Sequence, residues 1–351
     1  MIDQLGEDPN GISRASIEQL LDQITTVRAG VIGDVCLDMY WQIDMMRSEL
    51  SRETPHHTLP VVEERYSPGA AGNVAANLRA IGCSEVYVCS VIGEDWRGEL
   101  LKRTLQERGI HLSYLIASPS WTTPSYCKPI RNGLQQVRQE DARLDFQNYV
   151  PLSKALTDSL IERLDQMAEQ VDVIAVTDQL TYGVIGDAVR ERLSDWSKQG
   201  KIVLVDSRER ISLYRDVIVK PNEVEANNSY PQYIEPSSAT SADWADLAVR
   251  ISRHTHAPCV ITLGGNGSIW AEQGEYCYVP SLPVAPPIDI VGAGDCFASA
   301  MISALGAGSS GEEAMRLAHY ASAVSIKKLE TTGTASPEEI LLAYDYYAGG
   351  M

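Results

Sequence analysis

Two periods of hydrophobic positions alternate along the chain. Residues 17–27 carry apolar side chains at three- and four-residue spacing, whereas 29–34 and 86–92 are short, nearly continuous apolar runs. The first pattern is typical of an amphipathic helix and the second of a buried strand. Strand and helix patterns alternate from residue 31 to the end. This predicts an α/β fold with a doubly wound, mainly parallel sheet and helices on both faces.

The remaining patterns extend this alternation and leave two segments outside it. Residues 38–66 and 112–140 lack a helical period, and Asn132-Gly133 is a hairpin signal with 134–137 as the returning strand. We therefore expect one domain over 1–351 with a small β lid made from these two insertions. The other predicted elements are helices over 95–108, 152–168, 183–198, 241–254, 298–305, 312–328 and 337–347, and strands over 171–176, 201–205, 217–219 and 259–263.

Charge and cysteine usage narrow the classes of function. The 351 residues include 29 Lys and Arg against 47 Asp and Glu, a formal net charge of −18. This acidity argues against nucleic acid or an anionic membrane as a partner, and no apolar run approaches the length of a membrane span. The seven cysteines form no C-x-x-C pair and no metal spacing with histidine. We therefore expect reduced thiols and a cytoplasmic location.

The sequence D-I-V-G-A-G-D-C-F at 289–297 holds the strongest candidate chemistry. It follows a proline-rich loop and precedes a small-residue apolar run, so Gly292, Ala293 and Gly294 lie at a helix start. Unpaired backbone N–H groups and the helix dipole favour an anion there, and glycine lets a phosphate come close. Asp295 could then take a proton from an attacking alcohol. The alternative is an ordinary glycine-rich helix start.

Polar residues follow two further predicted elements. Asp34 and Asp38 flank the end of the first strand, where α/β sheets bind ligands, and carboxylates there suit sugar hydroxyls. Gly69 and Asn73 lie in a small-residue loop at 67–73 that opens a helix, where Asn73 can donate and accept hydrogen bonds. The alternative for the aspartates is a turn and a helix cap.

A third group is expected on the nucleotide side. Asn222 and Glu225 are spaced three apart, so they face one side of a first helical turn and could hold magnesium-bound waters. The alternative is a capping box. Thr262, Gly264 and Gly267 belong to a strand and a flexible glycine loop that could admit a nucleotide, or could form a simple hairpin turn.

Together these motifs resemble the signature of the ribokinase-like, phosphofructokinase-B-type carbohydrate kinases. The matching features occur in the family's order over nearly the whole chain: Gly33-Asp34, the loop at 68–73, Asn222 with Glu225, 262–267, D-x-x-G-A-G-D and Gly333-Thr334. The chain lacks a Walker G-x-x-x-x-G-K-[ST] motif and a protein-kinase H-R-D-x-x-x-x-N motif. It also lacks the G-x-G-x-x-G that a nicotinamide oxidoreductase would carry after its first strand.

Within that family the sequence is most similar to heptose 7-phosphate kinases of ADP-heptose synthesis. The resemblance lies in 33–41, 60–62 and 143–146. Two features depart from it. The usual D-Y-x-K-G segment reads D-Q-L-T-Y-G at 178–183, without the lysine, and Ala70 replaces a glycine of the small-residue loop. The resemblance therefore leaves the sugar open, including another sugar or a nucleoside, and a non-catalytic sugar-binding regulator of the same fold is the rival outside enzymes.

The resemblance also implies roles for the candidate residues. Asp295 would be the catalytic base and the Gly292–Gly294 amides the anion hole, with ATP bound over the loop at 264–267. Asn222 and Glu225 would order the waters of Mg²⁺, and a monovalent cation is left open. The sugar-binding residues would be Asp34, Asp38, Gly69 and Asn73.

The lid leads to two further expectations. Arg52, Arg138 and Arg143 lie in or beside its segments and could meet a phosphate already on the sugar, although exposed arginines are commonly only solvated. Lid strands with exposed edges tend to pair. We therefore expect a homodimer joined through the lids.

Overall fold

The structure, a computed structural model, describes residues 11–230, 240–329 and 331–348. Its strands are β1 (Arg28–Gly33), β2 (Val35–Asp44), β3 (Val61–Ala70), β4 (Glu85–Gly93), β5 (His111–Ser118), β6 (Ser125–Asn132), β7 (Arg138–Glu140), β8 (Leu144–Phe146), β9 (Val173–Asp178), β10 (Ile202–Ser207), β11 (Ile218–Val219), β12 (Cys259–Thr262), β13 (Ser268–Glu272) and β14 (Glu275–Val279). Its α-helices are α1 (Arg14–Ile24), α2 (Ala71–Ile81), α3 (Trp96–Gln106), α4 (Lys154–Ala168), α5 (Asp187–Lys198), α6 (Glu223–Ser229), α7 (Ser241–Thr255), α8 (Ala293–Gly306), α9 (Gly311–Ser325) and α10 (Pro337–Ala348).

A nine-stranded sheet forms the body of the fold. Its order is β14-β13-β12-β11-β10-β9-β1-β4-β5. The strands from β12 to β5 run parallel, and β13 and β14 add an antiparallel hairpin at one end. Central strands such as β9 are buried along their whole length, because strand–helix–strand connections bring helices onto both faces. The predicted doubly wound fold is confirmed.

The helices form two layers. On one face α8 packs against α2 and α9, and α10 joins α9 to α1. The buried side of α8 consists largely of alanine and serine, and these small side chains let its backbone approach its neighbours closely. On the other face α4 packs against β4, β5 and α5, and α7 packs against β12 and β13. Within the described residues no helix is both long and apolar enough to cross a membrane.

A second sheet of five strands forms the lid, in the order β3-β2-β6-β7 with β8 paired to β6. Only Asp34 separates β1 from β2, and β3 ends at Ala70 directly before α2 begins at Ala71. The lid is therefore continuous with the main sheet through one residue on one side and with a core helix on the other.

Three expectations about local structure were wrong. Residues 134–136 form a 3₁₀ turn, in which the Gly133 N–H donates to the Val137 carbonyl and the Val137 N–H donates to the Leu134 carbonyl. The returning strand therefore starts later, at Arg138. Residues 111–118 are not lid but β5, because the crossover through α3 returns the chain parallel to β4. Residues 67–70 are the end of β3 rather than a loop.

Candidate active site

A cavity of about 740 Å³ lies between the carboxyl ends of the main-sheet strands and the lid. Ten of the predicted site residues line it, namely Asp38, Asn222, Glu225, Thr262, Gly264, Gly267, Gly292, Ala293, Gly294 and Asp295. Three are not among its lining residues, namely Asp34, Gly69 and Asn73. The sequence motifs therefore converge on one cavity, but three of the proposed contacts are indirect.

The start of α8 forms one wall of the cavity. Gly292 is its N-cap with φ of 81°, a left-handed conformation that favours glycine, and no side chain caps the helix. A Cβ at Gly292 would lie 3.0 Å from the Asn73 Nδ2 and 3.4 Å from the Cβ of Thr332. The first turn of α8 therefore lies in the cavity wall without a capping side chain, as an anion-binding helix start requires, although the Ala293 N–H donates to the Ile290 carbonyl at 3.1 Å.

Asp295 lies in this first turn, among charged neighbours. Burial raises the pKa of its carboxyl to about 7; the Asn73 hydrogen bond lowers it, the neighbouring Asp206 raises it, and Lys220 and Arg208 lower it. A carboxylate with a pKa near 7 is a base strong enough to take a hydroxyl proton at physiological pH.

Asn73 orients this carboxylate rather than lining the cavity. Its Nδ2 donates to the Asp295 Oδ2 at 2.7 Å. Asn77, one helical turn further along α2, donates from its Nδ2 to the backbone carbonyl of Asn73 at 2.9 Å and to the Asn73 Oδ1 at 3.3 Å. The amide oxygen of Asn73 thus faces Asn77 and the amide nitrogen faces Asp295. This contact of Asn73 with Asp295 was not predicted from the sequence, and the expected contact with a sugar stays a prediction.

Asp34 is bonded to the backbone of a neighbouring loop, which the sequence did not predict. Its Oδ2 accepts the backbone N–H groups of Gln179 at 3.0 Å and Leu180 at 2.7 Å, and its Oδ1 accepts that of Val184 at 2.8 Å. Burial raises its pKa to about 6, although these three hydrogen bonds act in the opposite direction. A Cβ at Gly183 would lie 2.2 Å from the Asp34 Oδ1. Asp34 therefore holds the loop at 179–184, which places Gln179 in the cavity wall.

Asp38 and Lys128 form the lid side of the cavity. Asp38 is buried on β2, and the Lys128 Nζ on β6 lies 3.8 Å from its Oδ1. Burial raises the pKa of Asp38, while Lys128 and Arg143 lower it. A Cβ at Gly69 would lie 3.0 Å from the Asp38 Oδ2. Gly69 therefore makes room for the Asp38 carboxylate, and its predicted role in sugar binding stays a prediction.

One of the three lid arginines lines the cavity. Arg143 lies over the ring of Tyr126 at 4.5 Å and donates to both oxygens of Asp145 at 2.6 and 2.7 Å. Arg52 and Arg138 are not among the lining residues.

Asn222 and Glu225 form the capping box of α6. The Glu225 N–H donates to the Asn222 Oδ1 at 2.9 Å, and the Asn222 N–H donates to the Glu225 Oε2 at 2.8 Å. Both residues nevertheless line the cavity. Burial, together with nearby Asp206, raises the pKa of Glu225. Asn222 and Glu225 therefore both cap α6 and face the cavity.

The glycine loop after β12 lies at the opposite end of the cavity. Gly267 has φ of 97°, and a Cβ there would lie 2.2 Å from the Val279 carbonyl oxygen, so only glycine fits. Beyond this loop the wall is largely apolar, with Leu282, Val284 and Ile326 among its residues. This end suits a flat, apolar group such as a nucleotide base.

The sequence interpretation missed five charged residues that line the cavity: Lys128, Asp206, Arg208, Lys220 and Glu223. Asp206 and Lys220 lie where β10 and β11 end, so the strand-end rule that singled out Asp34 applied equally to them. Lys220 also comes directly before the Pro221-Asn222 pair of the N-x-x-E motif. Lys128 carried no comparable signal, because only the lid pairing of β2 with β6 brings it to Asp38.

Comparison with known proteins decides the family. The model of the pfkB family of carbohydrate kinases matches residues 35–339. The chain belongs to this family. It is a phosphotransferase with an alcohol group as acceptor, and the expected kinase resemblance is confirmed.

Curated relatives carry the name bifunctional protein HldE. The protein from Trichlorobacter lovleyi is 31% identical over 344 residues, which cover 95% of this chain, and that from Citrifermentans bemidjiense is 30% identical over 336 residues, which cover 94%. The chain spans 66% of the length of each. Its similarity is therefore to part of a longer protein.

Solved structures show the same fold at lower identity. Phosphofructokinase-2 from Escherichia coli, solved in complex with potassium, superposes with a TM-score of 0.72 at 20% identity and covers 92% of this chain and all of its own. Arabidopsis thaliana ribokinase, solved with ribose and ATP, gives 0.67 at 19% identity, covering 91% and 98%.

Proposed function

We propose that this pfkB-family kinase transfers the γ-phosphoryl group of ATP to a hydroxyl of a sugar or sugar phosphate, with Asp295 as the base. The observation that carries the proposal is the Asp295 carboxylate, whose pKa is near 7, directly after the uncapped start of α8. The hydroxyl oxygen bonds to the γ-phosphorus while the bond from that phosphorus to the bridging oxygen of ADP breaks. The hydroxyl proton passes to Asp295, and the α8 amides stabilise the charge on the transferred group.

The experiment is ADP release across a panel of sugars and sugar phosphates, with Asp295→Asn beside the unmodified chain. The substitution keeps the shape and can still accept from Asn73, but it cannot take the proton. We expect kcat to fall at least about a hundredfold. ATP affinity measured by calorimetry should hold or tighten, because a negative charge is lost beside the phosphates. Normal kcat in Asp295→Asn would refute the assignment of the base, and no turnover with any sugar would favour a non-catalytic sugar-binding protein.

Among sugars we propose a heptose 7-phosphate, phosphorylated at the anomeric hydroxyl, as the first candidate. The similarity to HldE proteins supports it. The cavity adds Lys128, Arg143 and Arg208 on its sugar side, and these cations suit a substrate that already carries a phosphate. Another sugar or a nucleoside is the alternative. Turnover of an unphosphorylated sugar in preference to all sugar phosphates would favour it.

We also propose Mg²⁺ as the cofactor, held through water by Asn222 and Glu225. The Asn222 Oδ1 and one Glu225 oxygen are engaged in the capping box, so the pair cannot provide a full set of direct ligands. Among the described residues no cluster of three or more His, Cys, Asp or Glu could hold a metal. This donor set fits an ion that keeps several waters and binds mainly to phosphates, whose charge it neutralises. Turnover that survives a chelator would contradict the assignment, and exchanging potassium for a bulky organic cation would test a monovalent requirement.

We further propose that two chains pair through their lids in the cytoplasm. The outer strand β3 presents Val61 and Val62, which are 41% and 56% exposed, at the edge of the lid sheet. Apolar residues at an unpaired strand edge favour association. Light scattering of the unmodified chain and of Val62→Lys would test this: we expect a dimer that the lysine weakens, and a monomer in both would contradict it.

A further inference from the structure

Lys220 is a buried lysine without a role in the reaction proposed above. It follows β11, its backbone N–H donates to the Val205 carbonyl at 2.8 Å, and its side chain is 3% exposed. Lysine is rarely buried unless its charge is paired, because desolvating an ammonium group is costly. Its position therefore calls for a physical reason.

The ammonium group is paired only in part. Its Nζ lies 3.1 Å from the Asp206 Oδ2, and within the described residues no other carboxylate lies within 4.0 Å of it. An ammonium group has three N–H donors, so donors remain unused after it has bonded to one carboxylate oxygen. Burial alone would lower the pKa of Lys220, but Asp206 and Glu225 raise it above its ordinary value, so the group stays charged.

The remaining donors lie at the anion-binding turn. Lys220 lines the same cavity as Gly292, Gly294 and Asp295. A Cβ placed on Gly294 would lie 4.0 Å from the Lys220 Nζ, so the ammonium is beside the backbone of that turn. The absence of a side chain at Gly294 leaves the space between the ammonium and the cavity open. A phosphoryl group bound at the start of α8 would thus meet a fixed positive charge.

A structural explanation of the pair is weaker. Lys220 and Asp206 join the ends of neighbouring strands β10 and β11, but those strands are already held by backbone pairing at Val205 and Val219. A buried ion pair usually gives little net stability over apolar residues of the same size. The pair is therefore better explained by a charge that must be present in the cavity.

We propose that Lys220 is a further catalytic residue, whose ammonium group contacts the γ-phosphoryl group beside the Gly292–Gly294 amides and stabilises it during transfer. The proposal rests on the phosphotransfer function above. Lys220 stays protonated throughout, since the hydroxyl proton goes to Asp295 and the electron pair of the broken bond leaves with ADP. Its contribution is to neutralise charge that ATP carries on the γ-phosphate and ADP does not.

The test compares Lys220→Met, Lys220→Arg and Asp206→Asn, with ATP and ADP as probes in the presence of Mg²⁺. For Lys220→Met we expect ATP affinity to fall about tenfold or more relative to ADP affinity, because a charge-assisted contact is lost from one nucleotide only. We also expect kcat to fall about a hundredfold. Lys220→Arg keeps the charge and should retain most of the preference for ATP.

Asp206→Asn is the matched control. It breaks the same ion pair but leaves the ammonium in place, so it should lower the unfolding temperature to a similar degree and keep the preference for ATP. Should Lys220→Met fail to fold, the double variant Lys220→Met with Asp206→Asn removes both charges and leaves none unpaired. An unchanged ratio of ATP to ADP affinity in the folded variant would overturn the proposal.

Failure of the proposed function is seen separately. The nucleotide-affinity ratio needs no sugar, so it tests Lys220 even when no acceptor is found. Suppose that the unmodified chain turns over a sugar, and that Lys220→Met has a normal kcat and a normal ratio of ATP to ADP affinity. The kinase function would then stand, and the proposed role of Lys220 would be refuted. An unmodified chain that binds no ATP refutes both.

Discussion

Replacing Asn73 by alanine tests how the proposed base is tuned. Asn73 is 1% exposed and donates to the Asp295 carboxylate at 2.7 Å. This hydrogen bond favours the charged form, so its loss should raise the Asp295 pKa from about 7 to a higher value. A buried hydrogen bond to a charged group contributes about 1.5–3 kcal/mol. At about 1.4 kcal/mol per pKa unit, the rise is about one to two units.

The consequence for the rate follows from the fraction of carboxylate. With a pKa near 7, about half of Asp295 is ionised at pH 7, and a rise of one to two units leaves about one tenth to one hundredth. We therefore expect kcat of Asn73→Ala at pH 7 to fall about fivefold to fiftyfold. The loss should shrink as pH rises toward 9, because the carboxylate fraction recovers.

The assay is the pH profile of kcat for the unmodified chain, Asn73→Ala and Asn77→Ala. Asn77 is equally buried and belongs to the same helix, but it contacts Asn73 and not Asp295, so it controls for the loss of a buried amide. We expect the rising limb of Asn73→Ala to lie at higher pH than in the other two. A uniform loss at every pH, with the limb unmoved, would refute the tuning role of Asn73.

Two further predictions concern the lid and the loop beneath it. Arg143→Met should raise the KM for a sugar phosphate about tenfold and leave the KM for ATP near normal, because the guanidinium lines the lid side of the cavity. Steady-state kinetics would measure both KM values. Equal effects on the two substrates would argue against a contact between Arg143 and the sugar phosphate. Gly183→Ala should lower the free energy of unfolding by about 1–3 kcal/mol, because its Cβ would lie 2.2 Å from the Asp34 carboxylate; chemical denaturation would show it, and Gly186→Ala, where a Cβ meets open space, is the control.

The sequence predicted the parts of the site that local backbone chemistry determines. Short local patterns predicted three features: the turn at Gly292, the capping pair at Asn222 and the glycine at 267. In each case the backbone conformation itself explains why those residue types are present. The contacts between distant segments could not be read in the same way. Asn73 and Asp295 are 222 positions apart, and only the packing of α2 on α8 brings the amide to the carboxylate. Asp34 was identified as important, but its partners are backbone groups of another loop, which no side-chain pattern reveals.

The errors in the fold have the same origin. The pattern of 111–118 suits either sheet, and the choice depends on the α3 crossover and not on the strand itself. The shift of the hairpin strand from 134 to 138 depends on how Gly133 and Val137 close the turn, which is a matter of backbone geometry. The missed cation Lys128 shows the limit most directly, since its position becomes meaningful only beside Asp38, a carboxylate from another strand.

The direct passage from β3 into α2 connects the lid to the amide that contacts Asp295. No loop separates Ala70 from Ala71, and Asn73 lies two residues further, with its amide on the Asp295 carboxylate. Ala70 has φ of 50°, so the chain bends sharply between the lid and the helix, with no flexible linker between them. A rotation of the lid sheet about this bend would turn the first residues of α2 with it. Closure of the lid over a sugar would then move the Asn73 amide, which influences the proton affinity of Asp295. With the lid open, the Asn73 amide would be less well placed, and Asp295 would be a poorer base for attack of water on ATP.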